Sequence, residues 1–229
     1  MVKEGYYFGL PLLALGLIGL VLYGYGPIGP GLGAILILLG AFVFYFFRNP
    51  PRNIPQEPGL VVSPADGRVL IVKDEDYLGR PGKRISIFLA VWNVHVNRSP
   101  AAGKITRMEY RPGKFFAAMK VKASAENEQN VFSLQTPNGE MIFKQIAGLI
   151  ARRVVSWKNP GDVVERGELI GLVRFGSRAD VWLPREAQIV VAVGDHVKGG
   201  SSVIARWSGG KAESLEAEEE LALAGSRSL

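Results

Sequence analysis

The feature that most constrains this sequence is a long uncharged apolar stretch near its N-terminus. Residues 5–47 contain no charged side chain, and one Gly/Pro-rich segment, 24–31, interrupts them. The apolar pieces on either side, 7–23 and 32–47, are 17 and 16 residues long. As helices they would measure roughly 24–26 Å, slightly less than a hydrocarbon core of about 30 Å. The sequence therefore predicts a two-helix membrane hairpin over residues 1–47.

The charges that flank the stretch predict its orientation. Lys3 precedes the first apolar piece, Arg48 and Arg52 follow the second, and the connecting turn has no Lys or Arg. Because basic residues stay on the cytoplasmic side, both ends of the hairpin are expected to face the cytoplasm. A signal peptide fits poorly, since it has a single, shorter apolar region. Shallow monotopic insertion remains the alternative to true spanning.

The net charge of the chain is concentrated in its middle part. The whole chain has 27 basic and 21 acidic residues, a net charge of +6. Residues 48–210 contain 24 basic and 15 acidic residues, hence +9, whereas the stretch 211–229 is an acidic tail of −3. Such a basic body suits an anionic membrane surface. Nucleic acid is disfavoured as a partner because no interleaved basic and aromatic motif accompanies the charge.

The scarcity of cysteine and histidine excludes several chemistries. The chain has no Cys and two His. It can therefore have no disulfide, Cys-ligated zinc, iron–sulfur cluster or thiol nucleophile, and we expect no metal site.

For the remaining chain the sequence predicts a linker followed by a β-rich domain. Four prolines make residues 48–60 a stiff, extended linker. Within the domain, 61–210, short runs rich in Val, Ile and Phe alternate with turn residues, which predicts a sandwich or barrel of short strands. The predicted strands are 67–73, 84–91, 104–110, 131–135, 141–146, 154–157, 168–175, 179–183, 188–193 and 202–207.

Two internal repeats refine the predicted fold. The pattern G-D-x-V-x-x-G occurs at 161–167 and again at 194–200, and S-P-A-x-G occurs at 63–67 and 99–103. Paired hairpins of the first kind resemble the two halves of biotinyl and lipoyl carrier domains. The predicted fold class is therefore mainly β, a lipoyl/biotinyl-like β-sandwich behind the membrane hairpin. A carrier function is not supported, because residues 175–184 lack the attachment lysine.

Few residues could act as a base or a nucleophile. His95 follows an apolar run, and it is read either as a general base or as a structural histidine. His196 occupies the repeat position of Val163, which favours a structural role. Asp66 is by its surroundings a turn residue, and so is Ser177 after Gly176.

Most of these candidate residues lie within or beside several short motifs that can be compared with known families. They are F-F-R-N-P-P-R at 46–52, S-P-A-D-G at 63–67, N-V-H-V-N-R at 93–98, N-E at 127–128, I-A-G-L-I-A-R-R at 146–153 and F-G-S-R at 175–178. In order and spacing the chain resembles the short-form phosphatidylserine decarboxylases over essentially its whole length, hairpin included. The resemblance implies a self-cleaving proenzyme that is cut between Gly176 and Ser177. Its β chain would be residues 1–176 and its α chain residues 177–229, beginning with a covalent pyruvoyl group derived from Ser177.

The resemblance also implies a division of roles. Ser177 would attack the carbonyl of Gly176, His95 would take the hydroxyl proton, and Asp66 would hold the tautomer of His95. In the mature enzyme the keto carbonyl would form a Schiff base with the amine of phosphatidylserine, an anionic membrane lipid, and CO2 loss would leave phosphatidylethanolamine. His95 is the expected proton donor.

Three arginines are candidates for binding the carboxylate or phosphate of the substrate: Arg98, Arg152 and Arg153. Longer members of the family have a second histidine where Arg98 stands. The sequence leaves open a different serine phospholipid as substrate, such as an archaeal ether lipid, and also a homo-oligomeric state. A non-catalytic membrane-anchored adaptor with a lipoyl-like domain is the alternative outside the enzymes.

Overall fold

The computed structural model describes residues 1–21, 28–119, 123–149, 153–174 and 177–207. Its helices are α1 (Lys3–Val21), α2 (Ile28–Phe46) and the short α3 (Ala123–Glu126). Its strands are β1 (Leu60–Val62), β2 (Gly67–Asp74), β3 (Gly82–Leu89), β4 (Val96–Arg98), β5 (Gly103–Arg111), β6 (Gln129–Thr136), β7 (Gly139–Ile146), β8 (Val154–Ser156), β9 (Val163–Val164), β10 (Leu169–Val173), β11 (Ser177–Pro184), β12 (Gln188–Ile189), β13 (His196–Val197) and β14 (Val203–Arg206). The predicted mainly β class and the N-terminal hairpin are confirmed. The expected acidic tail lies outside the described residues.

Helices α1 and α2 pack closely because glycines face each other. A Cβ atom on Gly33 would lie 2.7 Å from the carbonyl oxygen of Gly16, and one on Gly16 would lie 2.9 Å from that of Gly33. Small residues at such a contact let two helix backbones approach, as in membrane helix pairs. Both helices are long and apolar enough to cross a membrane, and most of the exposed large apolar side chains lie on them.

The hairpin joins the β-rich body through a small apolar cluster at the end where α1 begins and α2 ends. Phe46 and Phe47, the last residues of the apolar stretch, are buried against Val94, Val96 and Leu172 of the body. Near the start of α1, the carboxylate of Glu4 accepts a hydrogen bond from the indole of Trp157 at 3.3 Å. The end of the hairpin is therefore part of the folded body.

An eight-stranded antiparallel sheet forms the body, in the order β13-β2-β3-β11-β7-β6-β5-β9. Smaller sheets, β1-β14-β12 and β4-β10-β8, close over it. The main core comes from the inward faces of these strands, and Ile85, Phe132, Phe143 and Val181 are nearly or fully buried there. Strand β11 lies in the interior of the large sheet, paired over eight positions with β3 and five with β7.

The sequence repeats form two equivalent structures at opposite edges of this sheet. The first G-D-x-V-x-x-G copy contains β9, which pairs with β5, and the second contains β13, which pairs with β2. The contacts correspond one to one, since Gly161 N–H donates to Ile105 at 2.7 Å and Gly194 N–H to Val69 at 2.9 Å. The glycines have φ values of 98° and 105°, which favour residues without a Cβ.

The strand predictions differ from the structure mainly in length. All ten predicted strands occur, but the one expected at 188–193 contains only Gln188–Ile189. The carboxylate of Asp195 accepts a hydrogen bond from Ala192 N–H at 2.8 Å, and this turn ends the pairing early. Four strands of two or three residues, β1, β4, β9 and β13, were not predicted.

Candidate active site

Ser177 is the first residue of β11 and is fully buried. It pairs with Leu89, the last residue of β3. Within the described part of the chain, the Ser177 hydroxyl has no hydrogen-bond partner. An unsatisfied buried hydroxyl costs about 1–3 kcal/mol, so its retention at this position needs a reason. A nucleophile that must be free to attack a neighbouring carbonyl provides one.

The turn after β3 brings His95 to the same end of the sheet. Asn93 forms this turn, because its side-chain oxygen accepts from Ala90 N–H and its own N–H donates to the Ala90 carbonyl, both at 2.8 Å. The turn leads directly from Leu89 to His95. The carbonyl of His95 then accepts from Val173 N–H at 3.1 Å. The chain before the predicted cleavage point is thus held beside His95 through Val173, and the chain after it begins opposite Leu89, where the turn to His95 starts.

The surroundings of His95 favour a neutral imidazole. Its Nδ1 lies 2.9 Å from the Asn93 carbonyl oxygen, which can only accept, so Nδ1 carries the proton and Nε2 has the lone pair. Burial lowers the pKa of His95 to about 4, the hydrogen bond to Asn93 opposes this shift, and the positive charge of Arg48 adds to it. The ring also contacts the ring of Phe46, tilted by 33° with centroids 4.2 Å apart. His95 is therefore a base at neutral pH.

Asp66 has different partners from those predicted. Its carboxylate forms a 2.9 Å ion pair with Arg52 and accepts from Gly199 N–H at 2.8 Å. Nδ1 of His95 lies against the carbonyl of Asn93, two residues away along the chain, so the role predicted for Asp66, holding the tautomer of His95, stays a prediction.

The predicted substrate-binding arginines are only partly brought to this site. The guanidinium of Arg98 donates to the Gly167 carbonyl at 2.8 Å and to the Asn49 side chain at 2.6 Å, which ties the linker to the body. Burial is the main cause that lowers its pKa, and Arg52 adds to the effect. Arg153 is exposed, and its carbonyl accepts from Arg174 N–H at 3.2 Å. Arg152 and Gly176 lie outside the described residues.

A buried ion pair directly after Ser177 was missed by sequence reasoning. Arg178 is fully buried, and its Nε donates to Asp180 at 2.7 Å while a terminal nitrogen donates to Ser86 at 2.6 Å. The other oxygen of Asp180 accepts from Ser124 at 2.6 Å. The sequence could have indicated this pair, because residues i and i+2 of a strand share a face, and Arg178 and Asp180 have opposite charges at that spacing.

The described residues contain no group of three or more His, Asp or Glu side chains that could hold a metal ion.

Comparison with known proteins places the chain in a family. A family model described as phosphatidylserine decarboxylase matches residues 39–205. Phosphatidylserine decarboxylase proenzymes of Symbiobacterium thermophilum and Solibacter usitatus are 44% and 48% identical to it, over 90% of this chain and 95% and 96% of theirs. That of Syntrophus aciditrophicus is 50% identical over 70% of this chain and 78% of its own. The chain belongs to the phosphatidylserine decarboxylase family.

Proposed function

We propose that this chain is a proenzyme that cleaves itself between Gly176 and Ser177 and then decarboxylates phosphatidylserine to phosphatidylethanolamine. The observation that carries the proposal is the fully buried Ser177 hydroxyl, which lacks a hydrogen-bond partner among the described residues, at the same end of the sheet as His95. Membership of the family supports the reaction and the precursor form.

Self-cleavage uses groups of the chain itself. Nε2 of His95 takes the proton of the Ser177 hydroxyl, whose oxygen attacks the carbonyl carbon of Gly176 and converts the amide into an ester. Loss of a proton from Cα of Ser177 then breaks the ester bond and releases the carboxylate of Gly176. The dehydroalanine that remains takes up water and loses ammonia. The precursor thus consumes one water, releases one ammonia and becomes two chains.

The pyruvoyl group that results would be held where Ser177 stands. The site fits such a group, because the position is closed to solvent and the hydroxyl gives up no hydrogen bond to any described residue on conversion. When present, the group supplies a keto carbonyl that combines with the substrate amine and accepts the electrons left by departing CO2. We propose that Nε2 of His95 delivers the proton to the carbon that has lost CO2.

Asp66 is proposed to act as a positioning residue. The equivalent turn of the second S-P-A-x-G copy has Ala102 at this place, so the fold of the turn does not require a carboxylate. Its pairing with Arg52 fixes the linker that leads from the hairpin into the body. This linker contains Asn49, which holds Arg98.

The proposed location is the cytoplasmic face of the cell membrane. Two apolar helices anchor the chain, and the basic residues at their outer ends favour the cytoplasmic side. The basic body would then lie against an anionic leaflet that contains the substrate.

The proposal is tested by incubating the full-length protein with vesicles of phosphatidylcholine that contain phosphatidylserine. We expect CO2 release and accumulation of phosphatidylethanolamine with the wild-type chain and neither with Ser177→Ala. Equal phosphatidylethanolamine formation by the Ser177→Ala variant would refute the proposed function. Its matched control is Ser201→Ala, which changes a half-buried serine of the second repeat.

A further inference from the structure

Aromatic side chains form a continuous group where the hairpin meets His95. Phe46 contacts His95 in a tilted arrangement, Phe47 contacts Phe46 with ring centroids 5.0 Å apart, and Phe8 of α1 stacks on Phe47 at 6.0 Å. Two arginines border this aromatic group, Arg174 and Arg48.

Arg174 is the cation nearest in sequence to Ser177 on its N-terminal side. Its guanidinium carbon lies 5.1 Å from the centre of the Phe8 ring. Its Nε is buried and has no hydrogen-bond partner among the described residues. Its main chain is fixed, since Arg174 N–H donates to Arg153 and the preceding residue bonds His95. A buried guanidinium N–H without a partner indicates a missing acceptor.

Arg48 borders the other end of the same aromatic group. Its guanidinium lies 3.8 Å from the Tyr45 ring centre and donates to the carbonyls of Tyr45 at 2.8 Å and Trp92 at 2.7 Å. These bonds use two of the five N–H donors of a guanidinium, which leaves a fixed cation with unused donors. Its charge acts on His95, where it lowers the pKa.

We propose that Arg174 and Arg48 together bind the phosphate of the phospholipid headgroup. This inference rests on the proposed function and assigns the anion contacts to residues other than Arg98. The guanidinium of Arg98 ties the linker to the body through Asn49 and Gly167, whereas Arg174 and Arg48 lie on aromatic rings of the hairpin. Arg174 also keeps a buried Nε–H with no partner among the described residues.

The phosphate is the group whose position in the lipid matches these arginines. In phosphatidylserine it joins the acyl-bearing glycerol to the serine that reacts. The arginines match this arrangement, because Arg174 lies on Phe8 and Arg48 on Tyr45 at the aromatic end of the apolar hairpin, and Phe46 of the same end contacts His95. With the phosphate there, the acyl chains follow the hairpin and the serine part extends toward Ser177.

Binding of a phosphate at this place would also raise the pKa of His95. A phosphate anion offsets the charge of Arg48, which is one of the causes that keep the pKa of His95 low. The imidazole would then be protonated more easily when substrate is bound, as the proton delivery after CO2 loss requires.

The test measures lipid binding separately from catalysis. Full-length self-cleaved protein in phosphatidylcholine nanodiscs is titrated with pyrene-labelled phosphatidylglycerol, a phosphodiester without amine or carboxylate, and energy transfer from tryptophan gives the Kd. We expect Arg174→Gln and Arg48→Gln each to weaken binding about tenfold or more, as loss of a charge-assisted contact does. The matched control is Arg185→Gln, an exposed arginine after β11, roughly 25 Å along the strand from Ser177.

The same variants are then assayed for self-cleavage and for KM with phosphatidylserine. Normal cleavage with a raised KM and a weaker Kd for phosphatidylglycerol supports the proposal. An unchanged Kd for phosphatidylglycerol in both variants overturns it, even if KM rises, because the arginines would then bind the carboxylate. If Arg174→Gln does not fold, Arg174→Lys should weaken binding less and still more than Arg185→Gln. If the wild-type chain releases no CO2 but the Arg174 and Arg48 variants still bind phosphatidylglycerol more weakly, the proposed function is refuted and the phosphate site is not.

Discussion

At the scale of single residues, the site buries two polar side chains, Ser177 and His95, in states that cost folding free energy. Ser177 has a buried hydroxyl without a described partner, and His95 is buried with a pKa far below that of a free imidazole. The proposed self-cleavage would account for both features, since it needs a nucleophilic hydroxyl and a neutral imidazole. Natural proteins retain such costs chiefly at functional sites.

The pKa of His95 leads to a prediction for the pH dependence of self-cleavage. In the proposed mechanism neutral imidazole is the base, and with a pKa of about 4 His95 stays neutral at pH values well below 6.5, its ordinary pKa. The cleavage rate should therefore be constant from about pH 8 to about pH 5 and fall roughly tenfold per unit below about pH 4. Timed denaturing gels of newly made precursor measure this rate, with circular dichroism to check that the fold persists. A decline centred near pH 6.5 would be inconsistent with this environment for His95.

The buried pair of Arg178 and Asp180 predicts a large effect on stability. Removing Arg178 leaves the buried Asp180 carboxylate with only the longer 3.8 Å ion pair to Arg84 among the described residues, so Arg178→Met should lower the free energy of unfolding by about 3 kcal/mol. Exposed Arg185→Met should change it by less than about 0.5 kcal/mol. Both are measured by denaturant unfolding in detergent, in the Ser177→Ala background so that every chain is intact. Similar values for the two variants would rule out a stabilising role for the pair.

The sequence could identify some of these residues and not others. Ser177 and His95 stand in motifs, so the resemblance to a family pointed to them. The partner of His95 could not be found in this way, because it is a main-chain carbonyl, and every residue has one. The sequence also did not indicate that the guanidinium of Arg98 donates to Asn49 and Gly167. These contacts join segments that are far apart in the chain.

At the scale of elements, the hairpin depends on close contact between α1 and α2. Gly33→Leu should separate the helices, because its Cβ would lie 2.7 Å from the Gly16 carbonyl oxygen. We expect a loss of about 1–3 kcal/mol, measured as a lower thermal unfolding temperature in detergent. Gly31→Leu is the control, since a Cβ there meets no atom within 4 Å. Equal melting temperatures for the two variants would contradict this packing.

The elements also show what a sequence pattern can and cannot predict. Apolar helices and the longer strands follow from composition and periodicity, and these were predicted correctly. Strands β9 and β13 have two residues each and exist because the repeated G-D turns place them against β5 and β2. Pairing partners so distant in sequence are set by tertiary structure, which no local pattern specifies.

At the scale of the whole molecule, the sheet explains how one precursor could become a two-chain enzyme. The proposed α chain begins with β11, which lies between β3 and β7, and both of these belong to the proposed β chain. Cleavage before Ser177 therefore cuts the chain at the end of a strand and leaves the ladder on both sides intact. The two chains should remain together without a covalent link.

Intact-mass spectrometry of the full-length protein tests the central claim most directly. Under denaturing conditions the wild type should give two chains, 1–176 and 177–229, whose summed mass equals the precursor plus one water minus one ammonia. Under native conditions the same sample should give one complex that contains both, and Ser177→Ala should give only the precursor. A wild-type preparation that remains a single chain with a serine at position 177, while still forming phosphatidylethanolamine, would contradict the account.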